Sequence, residues 1–507
     1  MVAVDRTLAK SGHLDGTESE RRRTRRFEPL IPIIFLLLAA TATLGASSTV
    51  GLATKILLSA LGLSAHLMFL YTILFAGKRH FGIFELRLGN WFLAYAVLAF
   101  GLSTITILKP QEGSAAVVDK AMVPMALMAV GISFTVWALG YVLGSARILQ
   151  APLAWGKKTL MGGLSTEIRG AGALLWTFLL GVSADILLIL VGGQYGYLGQ
   201  SADLSIDAAA WYTQPVMIVS GLKSVALFGF SVRVFMQHSD RFVQFLLPTL
   251  LFSLATSLLT GMKEAFIATF ICVGIPYLLG KSRHRLAAII ALSLVFIFVV
   301  TPVVTGFRHD LNSSSGRLDV ISGLAVGVKN IFSSDGYLSD PSGTQSGVNT
   351  LERVRLIDNV AVIIDKTPAD ISYRPIVELI VAPITGLVPR LFWPDKPVRL
   401  SGYDFYKSYY SGQGQSSSAL TPQGSLYLYG GVGVLMVGML IIGVATRALD
   451  DVLRARNDLH GALFFIVLAA VVVKQEMDVG VFLASIPVFL VSWVLGARLI
   501  FRRSIVM

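Results

Sequence analysis

Hydrophobic residues in this chain fall in long unbroken runs rather than in the spaced stripes of a water-soluble fold. Twelve apolar stretches recur, near 28–46, 52–76, 91–108, 121–144, 171–193, 211–236, 242–260, 264–280, 286–304, 423–446, 459–473 and 480–499. Most are close to the roughly 20 residues that a helix needs to cross about 30 Å of hydrocarbon. Inside a bilayer every backbone N–H and C=O must be satisfied within the segment, which selects helices. The pattern predicts an all-α polytopic membrane protein with about 12 transmembrane helices. It also predicts one large extracytoplasmic loop, between the ninth and tenth runs.

The polar positions divide the chain accordingly. Residues 1–27 are charged and nearly free of aromatics, which predicts a disordered cytoplasmic tail. Residues 28–304 carry helices 1–9, residues 305–422 form the loop, and residues 423–507 carry helices 10–12 with a short cytoplasmic C-terminus. The first run follows a basic stretch, as a signal peptide would. Gly45-Ala46-Ser47 resembles a cleavage site only weakly and eleven more runs follow, so it reads as a retained span.

Within the loop, Ile376 to Pro394 is apolar enough to be mistaken for a span, yet it holds Glu378, Pro383 and Pro389. A central acid costs about 2.5–3.5 kcal/mol on insertion, and a proline about 3 kcal/mol in a helix interior. A short half-embedded helix is expected there. Val354, Ile357, Val360, Ala361 and Ile364 recur at helical spacing and predict a helix over 348–366, ended by Thr367-Pro368. Its opposite face would carry Glu352, Arg355, Asn359 and Lys366. Residues 145–170, with Trp155 and several cations, suit an interfacial helix on the cytoplasmic leaflet.

Composition agrees with this class. Hydrophobic residues make up 54% of the chain and charged residues only 14%, against about 25% charged in a soluble domain. Mean hydropathy is +0.70. Charge sets orientation: with both termini inside, cytoplasmic segments hold 23 of the 42 Lys+Arg residues, external segments 15 and spans 4. The basic blocks lie beside spans, as the positive-inside rule requires, so the net +12 reflects topology and anionic lipid. No nucleic-acid partner is implied, since no basic groove interleaved with aromatics appears. Cys272 is the single cysteine, which rules out an intrachain disulfide.

The external segments still hold 15 cations, 11 of them in the large loop, and these point to an anionic ligand at the outer boundary. Arg308 precedes His309; an arginine can grip a phosphate with two parallel hydrogen bonds and a histidine can take a proton near neutrality. Lys263 stands at an external helix start, where free N–H groups favour anions. Arg353 has no acid three or four residues away, unlike Arg355, which has Glu352 and Asp358. The string Pro389-Arg390-Leu391-Phe392-Trp393-Pro394-Asp395-Lys396-Pro397 would hold Arg390 and Lys396 rigidly at the boundary. Lys223 lies inside a span and needs a partner or water, and Asp185 in the preceding span could pair with it. Glu476-Met477-Asp478 places two carboxylates where a divalent ion or sugar hydroxyl could bind, or in a plain turn. No zinc-protease, P-loop or serine-hydrolase motif is present.

Over roughly residues 240–450 the chain resembles the bacterial O-antigen polymerases, the Wzy-type oligosaccharide repeat-unit polymerases. The resemblance rests on Leu258 to Lys263, on Arg353 to Pro368, on the run Val388 to Pro397, and on Gly424-Ser425-Leu426-Tyr427 with Gly431. Ser425 stands where related sequences often carry glutamate. The resemblance implies an enzyme of the bacterial inner membrane with its active face extracytoplasmic. It would join undecaprenyl-pyrophosphate-linked oligosaccharides, one chain as donor and one repeat unit as acceptor. A chain-length regulator and a flippase are the implied protein partners, and no cofactor or metal is implied. Lys263, Arg308, Arg353, Arg390 and Lys396 would face the pyrophosphate, and His309 or Glu378 would take the acceptor proton. An O-antigen ligase-like transfer to another acceptor, or a lipid-linked glycan transporter, would use a similar layout.

Overall fold

In a computed structural model, the described residues are 30–75, 86–108, 118–190, 213–260, 263–280, 354–388, 392–393, 401–410, 420–453, 458–473, 475–476 and 478–503, with isolated positions in 287–304. They are mostly helical, as expected for an α-helical membrane protein. In chain order, α1 is Leu30–Ser47, α2 Leu52–Phe75, α3 Leu88–Ala96, α4 Val123–Leu143 and α5 Arg147–Met161. Strand β1, Leu164–Ile168, is followed by α6 (Ala171–Leu190), α7 (Thr213–Ser220), α8 (Leu222–Phe235), α9 (Val243–Leu259) and α10 (Lys263–Leu279). Then come α11 (Ile357–Lys366), α12 (Ile376–Leu387), α13 (Ser401–Tyr409), α14 (Pro422–Leu428), α15 (Gly431–Leu453), α16 (Leu459–Val472), α17 (Val479–Ile500) and β2 (Phe501–Arg503).

Eight helical stretches among the described residues are long and apolar enough to cross a membrane: 52–75, 88–108, 120–143, 171–188, 215–235, 240–258, 431–453 and 479–500. Four further apolar helices are shorter: 31–47, 265–279, 376–386 and 459–469. Of the twelve runs read from sequence, 286–304 falls mostly outside the described residues.

Two apolar cores organise the bundle. The first joins α2, α3, α4 and α15 to α11, α13 and α14, around Phe92, Phe134, Trp137 and Tyr141. The second joins α8, α16 and α17 to both strands, around Phe228, Phe465, Trp493 and Phe501. Helices α4 and α15 meet through glycines. A Cβ on Gly140 would clash with the Leu440 carbonyl, and one on Gly443 with the Trp137 carbonyl. Such close backbone approach is how membrane helices gain packing contacts without a hydrophobic driving force.

A few helix starts are closed by side chains, which satisfy N–H groups left free in the first turn. Thr421 accepts from Gly424 N–H at 3.0 Å, and Asp458 from His460 N–H at 3.0 Å. The start of α3 is capped from another helix: Asp450 of α15 accepts from Leu88 and Gly89 N–H at 2.6 and 3.1 Å.

Three expectations change, while the all-α class stands with one short addition, β1 paired antiparallel with β2, which ties the segment after α5 to the end of α17. The 145–170 stretch is therefore a helix followed by a strand, with the Arg169 side chain donating to the Phe501 and Arg498 carbonyls, both at 3.0 Å. The tenth apolar run does not begin one span at 423. Helix α14 ends at Leu428, and Gly431, at φ +64°, starts α15 afresh, because Tyr373 packs where a side chain at 431 would stand. The helix expected over 348–366 is interrupted at Arg355–Leu356, where the Leu356 N–H donates to the Ala99 carbonyl at 3.1 Å. That carbonyl belongs to a π-helical turn, Val97–Gly101, which continues α3 before a 3-10 stretch, Leu102–Leu108.

Candidate functional site

Two arginines that flank α11 have opposite fates. Arg355 has 3% of its side chain exposed. Its Nε and Nη2 donate to Asp358 at 2.7–2.9 Å, and Nη1 donates to Thr106 Oγ1 at 2.6 Å. Burial pushes the Asp358 carboxyl above its ordinary range, and the Arg355 contact draws it back. The polar face expected opposite the apolar stripe is present, and its described residues, Arg355, Asn359 and Lys366, are satisfied inside the protein. Asn359 accepts from the Tyr410 hydroxyl, and Lys366 donates to the Tyr409 carbonyl at 2.6 Å. These bonds hold α13 on α11, and they commit Arg355 to structure.

Arg374 is placed differently. It precedes Pro375, the N-cap of α12, and its backbone N–H donates to the Leu428 carbonyl at 2.8 Å, which fixes α12 against α14. Its side chain remains 29% exposed. Nη1 lies 3.9 Å from Asp478 Oδ2, too far for a hydrogen bond. The other Asp478 oxygen caps α17, accepting from Gly480 and Val481 N–H at 2.6 and 3.3 Å. Arg374 also lies near the Tyr429 hydroxyl. Burial foremost, then the nearby Asp478 and Glu378 charges, raise the Tyr429 phenol above its usual value, while Arg374 acts in the opposite sense. Tyr429 is therefore a neutral hydroxyl at physiological pH.

Around this pair stand Tyr373, half out of the protein, and Tyr427, 6.5 Å from it ring to ring. Gln423 is fully buried, with neither amide atom hydrogen-bonded among the described residues. Ser425 accepts from Val479 N–H at 3.0 Å and so fastens α14 to the start of α17, a structural use that needs no charge. The result is a polar corner at the head of α12, where Arg374 stands with Asp478, Glu378 and Tyr429. That helix has 12 residues, about 18 Å at 1.5 Å per residue, too short to span. It lies along α17 so closely that a Cβ on Gly386 would clash with the Ala484 carbonyl. Ile376, Val377, Ile380 and Ile384 leave its other face apolar and exposed. A partly exposed arginine whose carboxylate partner stands 3.9 Å away keeps donors for an anionic group, and the exposed apolar ridge beside it fits an apolar tail.

The residues singled out from sequence are distributed unevenly. Glu378 lies in the first turn of α12, exposed, one turn from Arg374. Lys263 is the first residue of α10, as the helix-start reading required; its side chain lies outside the described residues. Arg308, His309, Arg353, Arg390 and Lys396 also lie outside them. Lys223 and Asp185 do meet: they form a buried ion pair, with Ser220 on the other Asp185 oxygen and Thr256 3.5 Å from Lys223 Nζ. They stand at the break between α7 and α8, away from α12. Glu476 and Asp478 do not converge on a common ligand, because Glu476 accepts from the Tyr95 hydroxyl at 3.1 Å while Asp478 caps α17. Arg374 and Gln423 escaped the sequence reading. The signal for Arg374 was available: a cation and a proline immediately before a short apolar helix.

A family described as "Domain of unknown function (DUF8712)" matches residues 202–464, more than half of the chain. The chain belongs to that family. The DUF8712 match takes in α7 to α15 and ends inside α16, so it covers the Arg374 corner but stops before Asp478. No curated protein matches the chain, and no solved structure does.

Proposed function

We propose that this protein is a membrane-embedded glycosyltransferase that polymerises undecaprenyl-pyrophosphate-linked oligosaccharide repeat units at the outer face of the bacterial inner membrane. The observation that carries the reading is the α12 corner. A half-length apolar helix presents an exposed ridge, with Arg374 at its head and, in sequence, Arg390 just past its end. A polyprenyl chain would lie along the ridge while the cations hold its diphosphate.

In this reaction an acceptor hydroxyl oxygen attacks the anomeric carbon of the donor sugar. The bond from that carbon to the diphosphate oxygen breaks, and its electron pair leaves with the lipid diphosphate. The hydroxyl proton passes to His309 or Glu378. Fixed cations at Arg353, Arg390, Arg308, Lys263 and Lys396, joined by Arg374, stabilise the charge that develops on the leaving group. Tyr429 stays protonated and donates.

Purified protein in liposomes, supplied with lipid-linked repeat units, tests the proposal. Glycan lengthening is expected, and it should be lost in Arg353→Ala and Arg390→Ala at unchanged protein abundance. Movement of the glycan across the bilayer without lengthening would instead establish a transporter. The buried Lys223–Asp185 pair at a broken helix is the observation that favours that second reading.

A further inference from the structure

Helix α5 has a face that the bundle does not use. It begins four residues after α4 ends, so the chain leaves the membrane directly into it. Two contacts fix its direction. Gln150 donates to Asp451 at 2.9 Å, and Lys157 donates to the Val452 and Leu453 carbonyls at 2.8 and 3.3 Å. The two donors are separated by seven residues of α5, about 10 Å along its axis. Their acceptors are adjacent at the end of α15. Helix α5 therefore crosses the end of that span instead of running beside it, which lays it in the plane of the membrane surface.

The two outer sides of α5 differ. Ile148 is 80% and Trp155 72% exposed, seven residues apart on one side, with Leu149 and Leu153 exposed nearby. Arg147 and Lys158 are eleven residues apart, three turns, on an adjacent side, and both are exposed at the rim of an open groove of about 580 Å³ between α5 and the end of α15, where Asp451 lies on the far wall. Neither has an acidic partner among the described residues, whereas Lys157 is occupied by Asp458 and the two carbonyls. An apolar side flanked by uncommitted cations, lying in the surface plane, is complementary to a leaflet of anionic phospholipid.

We infer that α5 is a surface anchor whose Ile148–Trp155 side inserts among acyl chains while Arg147 and Lys158 hold the phosphates of anionic glycerophospholipids. The site is independent of the α12 corner and of the reaction proposed there.

The test uses the full chain reconstituted in mixed phosphatidylglycerol and phosphatidylcholine, with bromine on the acyl chains of one lipid at a time. Subtracting the fluorescence of Trp155→Phe isolates the Trp155 signal. Brominated phosphatidylglycerol should quench Trp155 more than the same mole fraction of brominated phosphatidylcholine. The preference should fall roughly fivefold for each cation lost, through Arg147→Gln and Lys158→Gln. The charge-preserving pair Arg147→Lys with Lys158→Arg should retain it, which separates loss of charge from misfolding. No quenching by either lipid, equal quenching by both, or a preference that survives removal of both cations would each overturn the inference.

Discussion

Helices α11 and α12 come from the same polar stretch of sequence and are separated by only nine residues, yet one is enclosed by the protein and the other is open along one side. Helix α11 is buried on both sides. Ile357, Val360 and Ile363 enter the first core, and its polar residues find Asp358, Thr106, Tyr410 and the Tyr409 carbonyl inside the protein. Helix α12 buries one side on α17 and leaves Val377, Ile380 and Ile384 outside. One segment can thus contribute to the core of the bundle at one end and present an exposed apolar ridge at the other. The cation of the first region is neutralised at home; the cation of the second is left partly open.

The sharpest way to break this contrast is at the α12–α17 contact. Gly386→Val should unseat α12 and abolish accumulation of folded protein, read by detergent-solubilised yield, because backbone atoms and not a flexible side chain occupy the space. Next is Arg355→Leu, which should destabilise by about 3–5 kcal/mol by stranding a buried carboxylate. The double variant Arg355→Met with Asp358→Leu should recover most of that loss in thermal unfolding. The pH dependence has a definite sign. A carboxyl whose folded-state pKa is raised binds its proton more tightly in the folded protein, so its contribution to stability grows as pH falls through that value. The cost of Arg355→Leu should therefore be smaller in mildly acidic than in alkaline buffer.

Ile380→Asp then asks which solvent α12 faces. In hydrocarbon it costs about 3 kcal/mol; on a watery surface it would stay within about 0.5 kcal/mol. The larger value is expected, and stability in bilayers decides it. The smallest expected change in stability is for Arg374→Gln, within about 0.5 kcal/mol. Its glycan-lengthening activity should fall steeply, and retention of full activity would remove Arg374 from the proposed site.

Sequence made the class of fold visible because hydrocarbon imposes a length and an apolar composition on each span. The Arg355–Asp358 pair was visible too, since helical spacing brings residues three apart together, and Lys223 with Asp185 was one of two readings of a buried lysine. What sequence could not reveal depends on contacts between distant segments. The burial of Asn359 requires Tyr410, the cap on α3 requires Asp450, and the restart of α15 requires Tyr373 over Gly431. None of these leaves a local periodicity. Arg374 was overlooked for a different reason: loop arginines were weighed by their neighbours in a helix, and its setting comes from α14 and α17.

The turn at Val97–Gly101 gives the third span one residue more than a regular helix would use there. Removing a single residue from it would restore regular α-helical bonding, in which the Ala99 carbonyl accepts from its own helix instead of from Leu356. Length in this stretch is therefore a joint property of a membrane helix and of a segment some 250 positions later in the chain. A deletion there should be harmful even when every hydrophobic side chain is preserved.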